Sequence, residues 1–103
     1  MMVDTKLKRT KVSDIDSDLI GKHLFVQGWI RTCRSQKGVT FIELNDGSSI
    51  KNIQLISNKE VPLLTGTSIS VTGVLVKSPS PKQPYEIQVE HLEVIGEADS
   101  TFP

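Results

Sequence analysis

The chain has 103 residues, 12 basic and 12 acidic side chains, a formal charge of zero and 37% hydrophobic residues, which suits one domain with a modest core. Cys33 is the only cysteine, so an intramolecular disulfide and a cysteine-based zinc cluster are excluded. No apolar run approaches the ~18 residues of a membrane span, and the basic N-terminus "MMVDTKLKRTK" lacks the apolar stretch of a secretory signal; a cytoplasmic protein is expected.

Neutral overall, the chain is uneven in its charge. Between Lys22 and Lys37 there are four cations (Lys22, Arg31, Arg34, Lys37) and no acid, whereas five acids and no Lys or Arg fall between Glu86 and Asp99. A zero total can therefore hide a local positive surface.

In chain order, residues 1–11 are polar and read as a mobile arm. "VSDIDSDLIGK" (12–22) offers Ser13 as an N-cap and predicts a short helix or turn ending at Gly21. "HLFVQGWIRTCR" (23–34) alternates as a strand with Leu24, Val26 and Ile30 on one face and Phe25, Gln27, Trp29 and Arg31 on the other. Gly28 in its middle predicts a bulge or sharp coil. "SQKG" is a turn, and "VTFIELN" (39–45) is a second strand with Thr40, Ile42 and Leu44 inward.

"DGS" (46–48) signals a hairpin, and "SIKNIQLI" (49–56) a third strand with Ile53 and Leu55 inward. "SNKEVPLLTG" (57–66) breaks the alternation and holds at most a short helix. "TSISVTGVLVK" (67–77) is a fourth strand, "SPSPKQP" (78–84) a proline-rich loop, "YEIQVEHLEVI" (85–95) a fifth strand with Ile87 and Val89 inward, and "GEADSTFP" (96–103) an exit linker. The domain proper is expected over 20–96, with 1–19 as arm and short helix or turn and 97–103 as linker. Five strands with a short helix between the third and fourth fit an all-β OB-fold, a Greek-key barrel; an SH3-like barrel is the alternative.

No nucleophile elbow, phosphate loop, metal-spaced His/Cys set or dinucleotide fingerprint is present. His23 and His91 sit at separate strand positions and read as structural, as does Cys33. Phe41 is different. It shares the polar side of its strand with Glu43 and Asn45, where an aromatic ring can stack on an unpaired base or pack beneath the N-terminal arm. Gln54 lies on the next strand with an amide suited to a Watson–Crick edge. Arg31, Arg34 and Lys37 can supply phosphate contacts or stacking. Together they make single-stranded nucleic acid the leading partner.

These segments, "VQGWIRTCRSQKGVTFIELNDGSSIKNIQLI", "SISVTGVLVKSPSPKQPYEIQVEHLEVIG" and the closing "FP", resemble the N-terminal anticodon-binding domain of asparaginyl-tRNA synthetases, a class IIb family. The resemblance covers about residues 20–103. "NDGSS" stands where the aspartyl branch has an arginine-rich turn. The resemblance implies that Phe41 stacks on the middle anticodon base, a uridine, that Gln54 reads its edge, and that Arg34 contacts the anticodon loop. Ser78 and Gln88 fall near positions that in aspartyl relatives are charged and help to read the flanking bases; here they are neutral.

It further implies a partner, asparagine tRNA, and an ATP-dependent ligase as the parent, whose ATP and Mg sites would lie in a catalytic domain beyond Pro103. No cofactor is expected in these 103 residues, which alone should be inactive. A homodimeric parent and a monomeric isolated domain are expected, with no membrane partner. The alternatives are an aspartyl- or lysyl-type anticodon domain, a general single-strand binder and a protein-interaction module.

Overall fold

The computed structural model describes residues 8–61, 63–79 and 83–96. The expectations for residues 1–7 of the arm, for the middle of the proline-rich loop at 80–82 and for the linker at 97–103 lie outside the described residues.

Five strands form: β1 (His23–Gln36), β2 (Val39–Asn45), β3 (Ile53–Ser57), β4 (Ser68–Lys77) and β5 (Tyr85–Gly96). They close into a barrel in the order β1-β2-β3-β5-β4, with β3 and β5 parallel and every other pairing antiparallel. The alternating positions do what period-two burial requires. Val26, Ile30, Ile42, Leu44, Leu55, Ile69, Leu75 and Ile87 are fully enclosed in the barrel, and Val89 packs against that core at its margin.

β1 is long because it serves two neighbours. Residues 23–29 pair with β4 and residues 29–36 with β2. Gly28 sits where the strand coils from one to the other, and a Cβ there would overlap the Asn45 carbonyl oxygen. The bulge itself comes three residues later: Ile30 pairs with Leu44 and Thr32 with Glu43, leaving Arg31 without a β2 partner. Gly73 does for β4 and β5 what Gly28 does for β1 and β2, since a Cβ there would run into the Gln88 carbonyl oxygen. The first hairpin turn is tighter than expected. Ser35 and Gln36 remain in β1, and only Lys37 (φ 54°) and Gly38 (φ 81°) turn, both with positive φ as a two-residue hairpin demands.

Three local expectations change. The segment 12–22 forms two single 3-10 turns, Val12–Asp14 and Ser17–Leu19. Ser13 caps neither; Asp16 caps the second, accepting from the Asp18 N–H at 2.9 Å. The third strand starts at Ile53 rather than Ser49. Asn45 turns its amide into the connection, donating to the Ser49 carbonyl (3.1 Å) and to Asn52 Oδ1 (2.9 Å), so side chains replace ladder bonds over 46–52.

The short helix expected between β3 and β4 is absent among the described residues of 58–67. The buried Thr40 hydroxyl claims that segment's backbone. It donates to the Lys59 carbonyl (2.7 Å) and accepts from the Val61 N–H (2.8 Å), while local turns use Leu63 and Thr67.

Residues 8–15 run along the outside. The Thr10 N–H donates to the Phe25 carbonyl (2.7 Å), and Val12 is buried against the core. Asp46 holds this strap to the β2–β3 connection, accepting the Val12 N–H and the Ser48 N–H, each at 2.9 Å. Burial alone would raise the Asp46 pKa. The bonds from Ser48 and Val12 and the positive charge of Arg9 outweigh it, so the carboxyl is held below its ordinary value.

Candidate nucleic-acid interface

The register brings the outward residues of four strands into two rows. Arg34 lies beside Phe41, Phe41 beside Ile56, and Ile56 beside Gln88. The second row, two residues along, is Thr32, Glu43, Gln54 and Glu86. Of the seven residues singled out from the sequence, Phe41, Arg34 and Gln88 therefore share one row, and Gln54 stands in the next.

The bulge at Arg31 creates this arrangement. Uninterrupted alternation from Leu24, Val26 and Ile30 would send Arg34 into the core. One extra residue reverses the parity, and Arg34 emerges next to Phe41. Its guanidinium carbon lies 5.1 Å from the Phe41 ring centroid, a cation–π contact. Phe41 is half-buried rather than hidden under the N-terminal strap, which runs along Phe25 instead. A half-buried ring topped by an exposed planar cation is a surface on which a flat π-system can be held.

Gln54 is fixed by a neighbour that the sequence did not reveal. Its amide nitrogen donates to Glu86 Oε1 at 3.2 Å. A carboxylate only accepts, so this contact decides which way the amide faces: one N–H is engaged and the carbonyl is left for an incoming donor. A base with an imino N–H, uracil or guanine, matches that carbonyl. Adenine and cytosine present a ring-nitrogen acceptor at that position and would have to offer an exocyclic amino group instead.

Glu43 stands between, with its oxygens reached by Asn52 Nδ2 (3.2 Å) and Gln83 Nε2 (3.5 Å). Arg34 and Lys37 thus lie toward the β1–β2 hairpin, and Glu43, Gln54 and Glu86 toward the β4–β5 loop, where Lys51 also borders a hollow beside Glu43. Glu43 was legible by parity beside Phe41. Glu86 was not, because its place depends on the parallel β3–β5 register.

The other sequence candidates are more dispersed. Lys37 is exposed in the hairpin turn. Arg31 is exposed at the bulge, its carbonyl accepting from the Thr65 hydroxyl at 3.2 Å. Ser78 lies outside both rows. It is buried just past β4, its N–H donating to the Pro84 carbonyl at 3.1 Å. Trp29 is half-buried, its ring against the turn at Gly47. Cys33 points its thiol at the Val61 carbonyl (3.5 Å), in a structural position as expected.

A closed five-stranded barrel with this strand order is an OB-fold, whose β2–β3 face and adjoining loops take oligonucleotides or oligosaccharides. Residues 24–95 match the tRNA anticodon family of OB-fold nucleic acid binding domains, and the chain belongs to that family.

Among curated relatives, the chloroplastic/mitochondrial asparagine–tRNA ligase of Arabidopsis thaliana is 43% identical over 93 residues, covering 82% of this chain and 16% of the relative. The asparagine–tRNA ligase of Parabacteroides distasonis is 43% identical over 106 aligned positions, covering 94% and 23%. The chain thus spans about a fifth of the length of these relatives. Solved structures share the fold. The asparaginyl-tRNA synthetase of Pyrococcus horikoshii, complexed with asparaginyl-adenylate, superposes with a TM-score of 0.77 at 24% identity, covering 93% of this chain and 24% of that one. The aspartyl-tRNA synthetase of Entamoeba histolytica gives 0.79 at 18%, covering 97% and 23%. No helix among the described residues is long and apolar enough to cross a membrane.

Proposed function

We propose that this domain reads the anticodon loop of an asparagine tRNA on behalf of an asparagine–tRNA ligase. The observation that carries the reading is the pairing of the Arg34–Phe41 platform with Gln54, whose free carbonyl stands one row away. Phe41 stacks the middle anticodon base. The Gln54 carbonyl accepts that base's imino proton, which favours uridine over cytidine or adenosine. Arg34, Lys37 and Arg31 hold the phosphates, and Gln88 flanks the platform. Ser78 contributes from behind the β4–β5 loop. Unpaired loop bases expose both a face and an edge, and the two rows address one each.

The aminoacylation step, with its ATP and magnesium, belongs in this proposal to parts of the ligase other than these residues. The chain alone is expected to give no ATP–pyrophosphate exchange. It acts as a monomer when isolated and within a homodimeric, cytoplasmic ligase.

The test is titration of a 17-nucleotide anticodon stem-loop with the parent chain, Phe41→Ala and Gln54→Ala. Phe41→Ala should lose about 1–3 kcal/mol, roughly 5- to 150-fold in Kd. Gln54→Ala should bind uridine and cytidine loops alike. If both variants match the parent, the assignment is wrong. Equal binding of an unrelated stem-loop by the parent would favour a general single-strand binder.

A further inference from the structure

The β1–β2 hairpin carries Arg34 and Lys37, and it projects past the strands on either side of it. β4 pairs with β1 only as far as Trp29, and β3 pairs with β2 only over Thr40–Leu44. Among the described residues, Gln36 and Val39 therefore pair with each other alone. A two-stranded ribbon is marginal in water. Its turn is also a demanding one, since Lys37 carries a Cβ at φ 54°. A cation on a loose tip would have to be ordered each time it met a phosphate, at an entropic cost.

The connection between β3 and β4 removes that freedom. It meets the hairpin tip first and then returns along the edge of β1 that β4 has left. At the tip the Gly38 N–H donates to Glu60 Oε2 at 3.0 Å, across 22 residues of chain. On either side of Glu60, the Lys59 carbonyl and the Val61 N–H bond the Thr40 hydroxyl (2.7 and 2.8 Å), which ties the same segment to β2. The Cys33 thiol of β1 meets the Val61 carbonyl at 3.5 Å. Further back, the Thr65 hydroxyl donates to the Arg31 carbonyl (3.2 Å), and Ile30 bonds Gly66 and Thr67 through its carbonyl and N–H (2.8 and 2.9 Å). One segment thus holds both strands of the hairpin, and Glu60 alone among these groups reaches the turn.

Glu60 is an exposed acid at the cationic end of the face. By charge it would oppose a phosphate there. Its hydrogen bond works the other way, because a charge-assisted N–H···O⁻ contact is a stronger tether than a neutral one.

We propose that Glu60 is a positioning residue for RNA. It holds the Gly38 N–H, which fixes the two-residue turn and the backbone from which Lys37 reaches a phosphate. The inference rests on the anticodon-loop reading above and adds to it a residue that touches no RNA and acts through Lys37.

The sign of the effect separates positioning from charge. Glu60→Ala removes both the acceptor and the charge. Glu60→Gln removes the charge but keeps a side-chain carbonyl that can accept from Gly38. In titrations of the asparagine anticodon stem-loop, Glu60→Ala should bind about three- to tenfold more weakly than the parent chain. Glu60→Gln should bind like the parent or more tightly. Glu93→Gln, which removes an exposed acid from β5 where it pairs with β4, is the control for charge and should not weaken binding. In a Lys37→Asn background, Glu60→Ala should cause no further loss. The Gly38 amide hydrogen of the free chain, followed by NMR, should exchange faster in Glu60→Ala and keep its protection in Glu60→Gln.

Binding by Glu60→Ala equal to or tighter than the parent's overturns the positioning role. So does a loss that persists undiminished in the Lys37→Asn background. Phe41→Ala is titrated in parallel. If it weakens binding while Glu60→Ala does not, the anticodon reading stands and the role of Glu60 falls. If Glu60→Ala weakens binding through Lys37 while Phe41→Ala is silent, Glu60 keeps its role and the stacking assignment falls. If neither effect is seen, both fall.

Discussion

A glutamine amide can present either of two faces to a ligand, and composition does not decide which. Here the decision is made by Glu86, 32 residues away in the chain. The choice of Gln54 as a reading residue was available from its strand position and from family resemblance. Its polarity was not, because a parallel pairing between β3 and β5 leaves no local trace. Phe41 is the opposite case: parity alone put it on the polar side of β2, and the structure keeps it there. Lys37 carries a cost that alternation does not show, since a residue with a Cβ at φ 54° is strained where glycine or asparagine is not. Lys37→Asn should therefore raise stability by about 0.5–1 kcal/mol. It should also weaken stem-loop binding severalfold by removing a cation. A melting temperature below the parent's would show that the turn is not strained at this residue.

At the scale of elements, the five strands and their inward residues were readable because burial at period two dominates a small barrel. What was not readable came from exceptions to that period. The bulge at Arg31 moves Arg34 from a core parity to the outer face, and nothing in "GWIRTCR" marks which residue is the extra one. The region 57–66 was read as holding at most a short helix because its alternation stops there, but a hydroxyl on another strand bonds its backbone. Thr40 is fully buried and makes three hydrogen bonds. A hydroxyl has one proton, given to the Lys59 carbonyl, so the Ser35 hydroxyl must donate to Thr40 at 2.9 Å. Thr40→Val keeps the shape and strands the Val61 N–H, the Lys59 carbonyl and Ser35. It should cost about 1–3 kcal/mol, and each kcal/mol should lower Tm by roughly 4–8 °C. Thr40→Ser, which keeps the hydroxyl, should lose much less. Equal melting of the two variants would show that the hydroxyl does not hold this connection.

Over the whole molecule, a net charge of zero argues against nucleic-acid binding only if the charges are mixed, and they are not. The acids of β5 put Glu86 at one end of the second row, while Arg34 and Lys37 lie at the β1–β2 hairpin. A single strand laid across the rows would meet cations at its phosphates and carboxylates only at donor-bearing base edges. This division separates affinity from specificity, and salt can tell them apart. If Arg31, Arg34 and Lys37 neutralise three phosphates, log K should fall with log[salt] at a slope of about −2, using ~0.7 per contact for single strands. Arg34→Gln should bring the slope up by about 0.7 and leave the preference for uridine in place. Glu86→Gln should do the reverse. The slope should hold, while discrimination against cytidine weakens because the neutral partner no longer dictates how Gln54 faces. Binding that is independent of salt would remove the phosphate role from all three cations and point to a protein partner for this face. A slope changed equally by both variants would mean that the two rows do not divide the work between backbone and base.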